Sequence, residues 1–147
     1  MIVYPDSSFV LSLNVEDDVN HVAASKLASR YAADDWLWCD LHAVELFCTV
    51  RSSIHRDRAA LPQPTARAVI FRLEREVRRG YFQRRELPLA DSVARALALS
   101  EAHGWERAHT PFDIWHVAAA WCFAADRFAT FDERQAELAE EAGLLLA

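Results

Sequence analysis

The chain has 147 residues, of which 52% are hydrophobic and 26% charged, so its size and composition are those of a single globular domain spanning residues 1–147. The net charge of −6 argues against a simple nucleic-acid-binding protein, which would usually be basic. All apolar runs are much shorter than the roughly 20 residues that a membrane-spanning helix needs, which argues against a membrane protein.

In the first half of the chain, two apolar runs predict strands. Residues 2–4 end at Pro5 and lead into the capping group of Asp6, which indicates a buried strand followed by a helix. Residues 36–39 are compact and apolar, as is typical of a central parallel strand. The further helices predicted here are one capped by Asp17 or Asp18 and ending near Tyr31, one from Asp40 to about His55, and one from about Thr65 to Arg79.

The second half continues the same alternation. Its predicted strands are residues 81–87, 128–131 and 144–146. Its predicted helices are residues 92–103 after a cap at Asp91, residues 113–125, and residues 133–141. Because strands and helices alternate throughout, the sequence predicts a three-layer α/β/α sandwich around a mainly parallel sheet.

The three cysteines, Cys39, Cys48 and Cys122, form no CxxC pair and lie in apolar surroundings. Buried, reduced thiols are therefore expected. Together with an N-terminus that has no basic region before its first acid, this predicts a cytoplasmic protein.

The positive charge is concentrated in one segment. Residues 51–85 contain ten arginines and three acidic residues, so this segment carries +7 and the rest of the chain −13. Such a basic block is typical of a surface for an anionic polymer, and it is equally typical of the solvated face of a helix. The arginines predicted to contact such a polymer are Arg51, Arg72, Arg75 and Arg79.

Four acidic residues stand in apolar surroundings. In a parallel sheet, Asp6 and Asp132 would follow strands whose carboxyl ends lie at one edge, where such sheets bind ligands. Asp113 begins an apolar helix, where a carboxylate is either a helix cap or a ligand. Glu45 lies in the middle of an apolar helix, where an unpaired carboxylate would be costly.

Bringing four carboxylates together requires compensation. Two of them about 4 Å apart repel by roughly 4 kcal/mol at an effective dielectric constant near 20, which predicts either protonation or a divalent cation. An oxygen-only ligand set favours Mg²⁺ or Mn²⁺ over zinc. Thr130 is expected to orient a carboxylate or a metal-bound water, and His116 to be a packed, hydrogen-bonded helix residue rather than a zinc ligand.

These segments resemble the PIN domain, in particular the VapC-type toxins of toxin–antitoxin pairs. The matching stretches are IVYPDSSFV around Asp6, LHAVEL around Glu45, FDIWHVAAA around Asp113, and ATFDER around Asp132. The likeness extends over nearly the whole chain. Pro5, directly before Asp6, departs from the plainer strand residues expected at that position.

The resemblance implies a ribonuclease that uses Mg²⁺ or Mn²⁺ and acts on tRNA or rRNA. It implies that Asp6, Glu45, Asp113 and Asp132 are the catalytic and metal-binding residues, supported by the hydroxyl of Ser7 or Ser8 and by Thr130. It further implies a homodimer and a small antitoxin as partners.

Two other interpretations remain open at this stage. One is a PIN-fold module that binds RNA or protein without activity. The other is a phosphatase with an aspartate nucleophile, which is disfavoured because Ser8 occupies the position of its second aspartate and the only lysine, Lys26, lies in an amphipathic helix.

Overall fold

The computed structural model describes residues 1–56 and 61–147, and it contains a four-stranded parallel sheet. The strands are β1 (Ile2–Pro5), β2 (Asp35–Trp38), β3 (Phe82–Arg84) and β4 (Arg127–Ala129). The helices are α1 (Ser7–Asn14), α2 (His21–Arg30), α3 (Asp40–Ser53), α4 (Gln63–Arg79), α5 (Leu89–His103), α6 (Pro111–Cys122) and α7 (Glu133–Glu141). The strand order is β3-β2-β1-β4, with every neighbouring pair parallel.

Alternating strand side chains form a core on each face of the sheet. Val3 and Trp36 face a core shared with α1 to α4, whereas Tyr4 and Leu37 face a core shared with α5 to α7. Because both faces are covered, the central strand β1 is apolar throughout and β2 is apolar after Asp35. The predicted three-layer α/β/α sandwich is confirmed.

Several helix boundaries follow from local chemistry that the sequence displays. Asp6 caps α1 and Asp132 caps α7, each accepting hydrogen bonds from backbone N–H groups of the first turn. Gly80 ends α4 with a φ of +77°, a left-handed conformation that glycine adopts without steric cost.

Other predicted boundaries are wrong. The N-cap of α2 is Asn20 rather than Asp17 or Asp18, because a turn precedes the helix. The N-cap of α5 is Pro88, so Asp91 lies inside the first turn of that helix. Helix α6 begins at Pro111 instead of Asp113 and ends at Cys122, before Ala124 adopts a positive φ of 51°.

The outer strands are shorter than predicted. Only Phe82–Arg84 of the predicted strand 81–87 is a strand, and β4 ends at Ala129, before Thr130 turns away to approach Asp6. Residues 144–146 make one isolated bridge, Phe128 to Leu146, in place of the predicted strand.

The cysteines also differ from expectation. Cys39 is buried, but Cys48 is exposed on α3 and Cys122 is partly exposed, so only one of the three is a buried thiol. All three are free. Separately, among the described helices none combines the length and the apolar character needed to cross a bilayer.

A substitution at Phe9 would measure how much the core beneath the start of α1 contributes to stability. Phe9 is fully buried and stacks on Trp36 and Phe131, with ring centroids 5.1 and 5.6 Å away. Phe9→Ala is expected to lower the free energy of unfolding by about 3–5 kcal/mol in urea titrations. Phe71→Ala, at a side chain that is 61% exposed, should change it by no more than about 0.5 kcal/mol. Equal losses in the two variants would contradict this packing.

Candidate active site

The carboxyl ends of β1 and β4 form the floor of the candidate site. The backbone N–H of Asp6 donates to the carbonyl of Ala129 at 2.8 Å, so the chain leaves both strands at one point. Asp6 follows β1 immediately, and Thr130 follows β4. Polar side chains directly after the two strands are therefore neighbours, as expected at this edge of a parallel sheet.

Asp6 is almost completely buried, and its carboxylate accepts hydrogen bonds from three donors. Its Oδ1 accepts the backbone N–H of Phe9 at 2.7 Å, and its Oδ2 accepts the hydroxyl of Thr130 at 2.8 Å. The hydroxyl of Ser8 lies 2.9 and 2.8 Å from the two oxygens. Burial raises the pKa of Asp6, although these hydrogen bonds and the nearby His116 oppose the increase.

Glu45 projects from the second turn of α3 and pairs with a histidine of α6. Its Oε2 lies 2.7 Å from Nε2 of His116, and the hydroxyl of Ser7 lies 3.2 Å from the same nitrogen. Burial acts to raise the pKa of Glu45, but the hydrogen bond and charge of His116, with a further hydrogen bond from Ser7, hold it below its usual value.

Asp113 and Asp132 lie at the beginnings of α6 and α7. Oδ2 of Asp113 accepts the backbone N–H of Thr110 at 2.9 Å, and the Thr110 hydroxyl accepts the N–H of Asp113, which together form a capping box. Asp132 accepts the backbone N–H groups of Arg134 and Gln135. Burial opposes ionisation of Asp132, but these bonds and Arg134 lower its pKa overall.

All four acidic side chains line one small cavity of about 80 Å³. The complete lining is Asp6, Ser7, Ser8, Glu45, Asp113, His116, Asp132 and Gln135. The starts of α1, α6 and α7 contribute to this wall, so three positive helix ends face the cavity. Acids from four separate parts of the sequence thus line one cavity.

Helix N-termini and hydrogen bonds offset part of the repulsion among the four carboxylates, for which the sequence predicted only protonation or a cation. Three of the four carboxylates cap or begin a helix, and Glu45 is paired with His116. Across residues 1–56 and 61–147, no three acidic, histidine or cysteine side chains lie close enough together to enclose an ion. The donor set nevertheless fits a hard divalent cation chemically, because four carboxylates with a total formal charge of −4 face one polar cavity.

The hydroxyl groups divide between two of the acids. Ser8 and Thr130 contact Asp6, whereas Ser7 contacts the Glu45–His116 pair. Gln135, which was not predicted as a site residue, also belongs to the cavity lining. Its Oε1 lies 3.0 Å from the hydroxyl oxygen of Thr130 and its Nε2 donates to the carbonyl of Asp113 at 3.2 Å, so it connects the end of β4 to the start of α6. Its position three residues after the Asp132 cap was the available signal.

The four arginines predicted to contact RNA lie on α3 and α4. Arg51 stacks on Phe47 on the outside of α3, and Arg72 donates to the carbonyl of Asn14 at 3.4 Å. Arg75 is partly buried, and Arg79 is exposed at the end of α4. As formed by the described residues, the cavity lining includes none of the four. Residues 57–60, which include Arg58 of the arginine-rich segment, lie outside the described residues.

Solved structures with the same architecture match the whole chain. VapC20 from Mycobacterium tuberculosis, described as a sarcin–ricin loop cleaving toxin, matches with a TM-score of 0.69 and 18% identity over 99% of this chain and 98% of that one. VapBC2 from Rickettsia felis, bound to a promoter DNA fragment, gives 0.67 and 11% over 100% and 98%. FitAcB from Neisseria gonorrhoeae gives 0.63 and 19% over 99% and 96%.

The chain has the fold of a VapC-type PIN domain. In sequence, no family model and no curated protein matches it. At identities of 11 to 19% the structural likeness establishes the fold alone, and the chemistry of the site depends on this chain's own residues.

We expect Asp6 to make the stability of the metal-free protein depend on pH. Burial raises the folded-state pKa of Asp6, so the folded protein holds the proton of this carboxyl group more tightly than the unfolded chain does. The stability that Asp6 contributes in this way is fully present below the unfolded-state pKa of about 3.9 and is lost as the pH rises through the folded-state pKa. Asp6→Asn, which is uncharged and nearly isosteric, should therefore be more stable than wild type at pH 7 and similar to it near pH 3.5.

Urea unfolding with EDTA across this pH range measures the difference. Asp17→Asn, at an exposed turn residue, is the matched control and should show no such trend. A wild-type protein that becomes progressively more stable than Asp6→Asn as pH rises would contradict the prediction.

Proposed function

We propose that this protein is a divalent-metal-dependent endoribonuclease that acts in the cytoplasm as the toxin of a toxin–antitoxin pair. The proposal is carried by one observation: Asp6, Glu45, Asp113 and Asp132 line a single cavity at the carboxyl edge of the sheet. The PIN fold supports it, and so does the description of the M. tuberculosis VapC20 as a toxin that cleaves the sarcin–ricin loop.

The acids would divide the work between holding the ion and guiding water. Asp6, Asp113 and Asp132 would hold Mg²⁺ or Mn²⁺, and Glu45 would bind an ion or orient the attacking water. When bound, the ion makes water a stronger nucleophile and stabilises charge on the phosphate. Ser8 and Thr130 keep the Asp6 carboxylate in place. In-line hydrolysis would leave a 5′-phosphate and a 3′-hydroxyl.

RNA and protein partners follow from the same proposal. The substrate class is tRNA or rRNA, held by phosphate contacts of arginines that read no sequence. A small antitoxin would silence the site, and an acidic cavity is suited to accept an arginine side chain from such a partner. We further propose a homodimer as the active assembly.

Glu45→Gln is the most informative catalytic variant, because Glu45 is the one member of the four that does not begin a helix. With Mn²⁺ and structured RNA, the wild type should release fragments with 5′-phosphate ends, and EDTA should abolish cleavage. Glu45→Gln should lower the cleavage rate at least about 100-fold, the order expected when a positioned acid–base group is lost. Unchanged circular dichroism would show that the fold is retained.

Glu133→Gln is the matched control, since Glu133 is exposed beside Asp132 and is not part of the cavity lining. It should cleave at the wild-type rate. Cleavage that persists in Glu45→Gln would exclude this site. RNA binding without cleavage by any form of the protein would instead favour a PIN-fold binding module.

The arginine-rich segment can be tested separately from catalysis. In the Glu45→Gln background, Arg79→Glu is expected to weaken RNA binding and to reduce the slope of log affinity against log salt by about 0.7 to 0.9, the value for one phosphate contact. Arg30→Glu on α2 makes the same charge change outside the segment and should leave the slope unaltered. Identical slopes for the two variants would assign Arg79 to a solvated helix face.

A further inference from the structure

His116 is a fully buried polar residue in an otherwise apolar helix. It is 1% exposed, and its neighbours in α6 are Val117 and the three alanines at 118–120, all completely buried. An imidazole in such surroundings is costly unless both ring nitrogens have partners. Here they do: Nδ1 lies 2.9 Å from the hydroxyl of Tyr4, and Nε2 lies 2.7 Å from Oε2 of Glu45.

These partners determine which way the ring faces. A carboxylate only accepts hydrogen bonds, so Nε2 must carry the proton that it donates to Glu45. The Tyr4 hydroxyl then holds the other side of the ring, and its own oxygen lies 3.7 Å from Sγ of Cys39. These contacts connect α6 to β1 and α3, and together they fix the orientation of the His116 ring.

A second histidine, His42, packs against the ring of His116. The ring of His42 lies 5.0 Å from that of His116 and crosses it at 63°. Its Nε2 donates to the carbonyl of Pro5 at 2.7 Å, and its Nδ1 accepts the backbone N–H of Cys39 at 3.1 Å. Both nitrogens have backbone partners and the ring is fully buried, so turning the His42 ring would break two hydrogen bonds.

Glu45 is the acid that needs such support. The other three carboxylates accept backbone N–H groups at helix starts, whereas Glu45 lies in mid-helix with its side chain 21% exposed. A free glutamate side chain would lose roughly 1.5–2 kcal/mol of rotamer entropy on being fixed. A hydrogen-bond donor that already holds one carboxylate oxygen of Glu45 means that this entropy is not lost when an ion binds. The carboxylate still has lone pairs free for the ion.

We propose that His116 is a positioning residue, which donates from Nε2 to hold the Glu45 carboxylate toward the cavity for a divalent cation. This inference rests on the proposed function and deepens it. His116 acts through Glu45 and is not itself a ligand. Removing an outer hydrogen-bond partner of a metal ligand typically lowers metal affinity 10- to 100-fold.

Two substitutions separate positioning from packing. The amide nitrogen of glutamine can reach the place of Nε2 in histidine, whereas that of asparagine reaches only the place of Nδ1. Because only His116→Gln keeps a donor for Glu45, it should retain Mn²⁺ affinity within about threefold, whereas His116→Asn should lose about 10- to 100-fold. Mn²⁺ titrations of the whole protein without RNA, followed by the paramagnetic resonance of free Mn²⁺, measure these affinities.

Val117→Ala is the control for packing, since Val117 is the next residue of α6 and is fully buried. It should lower the melting temperature without changing Mn²⁺ affinity. The inference is overturned if His116→Asn binds Mn²⁺ as wild type does, or if all three variants lose affinity in proportion to their stability. Absence of Mn²⁺ binding by the wild type overturns this inference together with the proposed metal site, whereas loss in His116→Asn alone supports both.

Discussion

The rest of the structure depends on a carboxylate buried at the end of β1. An ionised aspartate that is only 3% exposed must be surrounded by donors, and Asp6 finds them in the first turn of α1, in Ser8, and in Thr130 from the end of β4. These bonds join the two adjacent strands where they leave the sheet. The need of the buried Asp6 carboxylate for hydrogen-bond donors therefore both starts α1 and brings the polar residues after β4 to the candidate site.

Fold and site use the same side chains. Asp6, Asp113 and Asp132 belong to helix starts, so the positive ends of α1, α6 and α7 face the cavity that the acids line. Helix starts offset part of the mutual repulsion of the carboxylates even without an ion, and they hold the acids in place before one binds. Glu45 is different, because its position depends on a tertiary contact with His116.

The basic segment and the acidic cavity do not overlap. Four acids line a cavity of about 80 Å³, and among the described residues neither Arg51 nor any arginine of α4 belongs to that lining. Attraction by the arginines would offset the repulsion that the acidic remainder of the chain exerts on RNA.

The sequence by itself determined the alternation of strands and helices, the helix caps at Asp6 and Asp132, and the sheet edge that these two residues share. It could do so because the spacing of apolar residues, the chemistry of helix caps and the direction of a strand are local properties of the chain. It could not determine that Asp91 lies within a helix turn, that residues 144–146 form only a bridge, or that Gln135 connects two elements. Nor did it determine that His116 pairs with Glu45, since these residues are 71 positions apart and meet only when α3 and α6 pack against the end of β1. Contacts of that kind are decided by packing across the sheet, which no local pattern encodes.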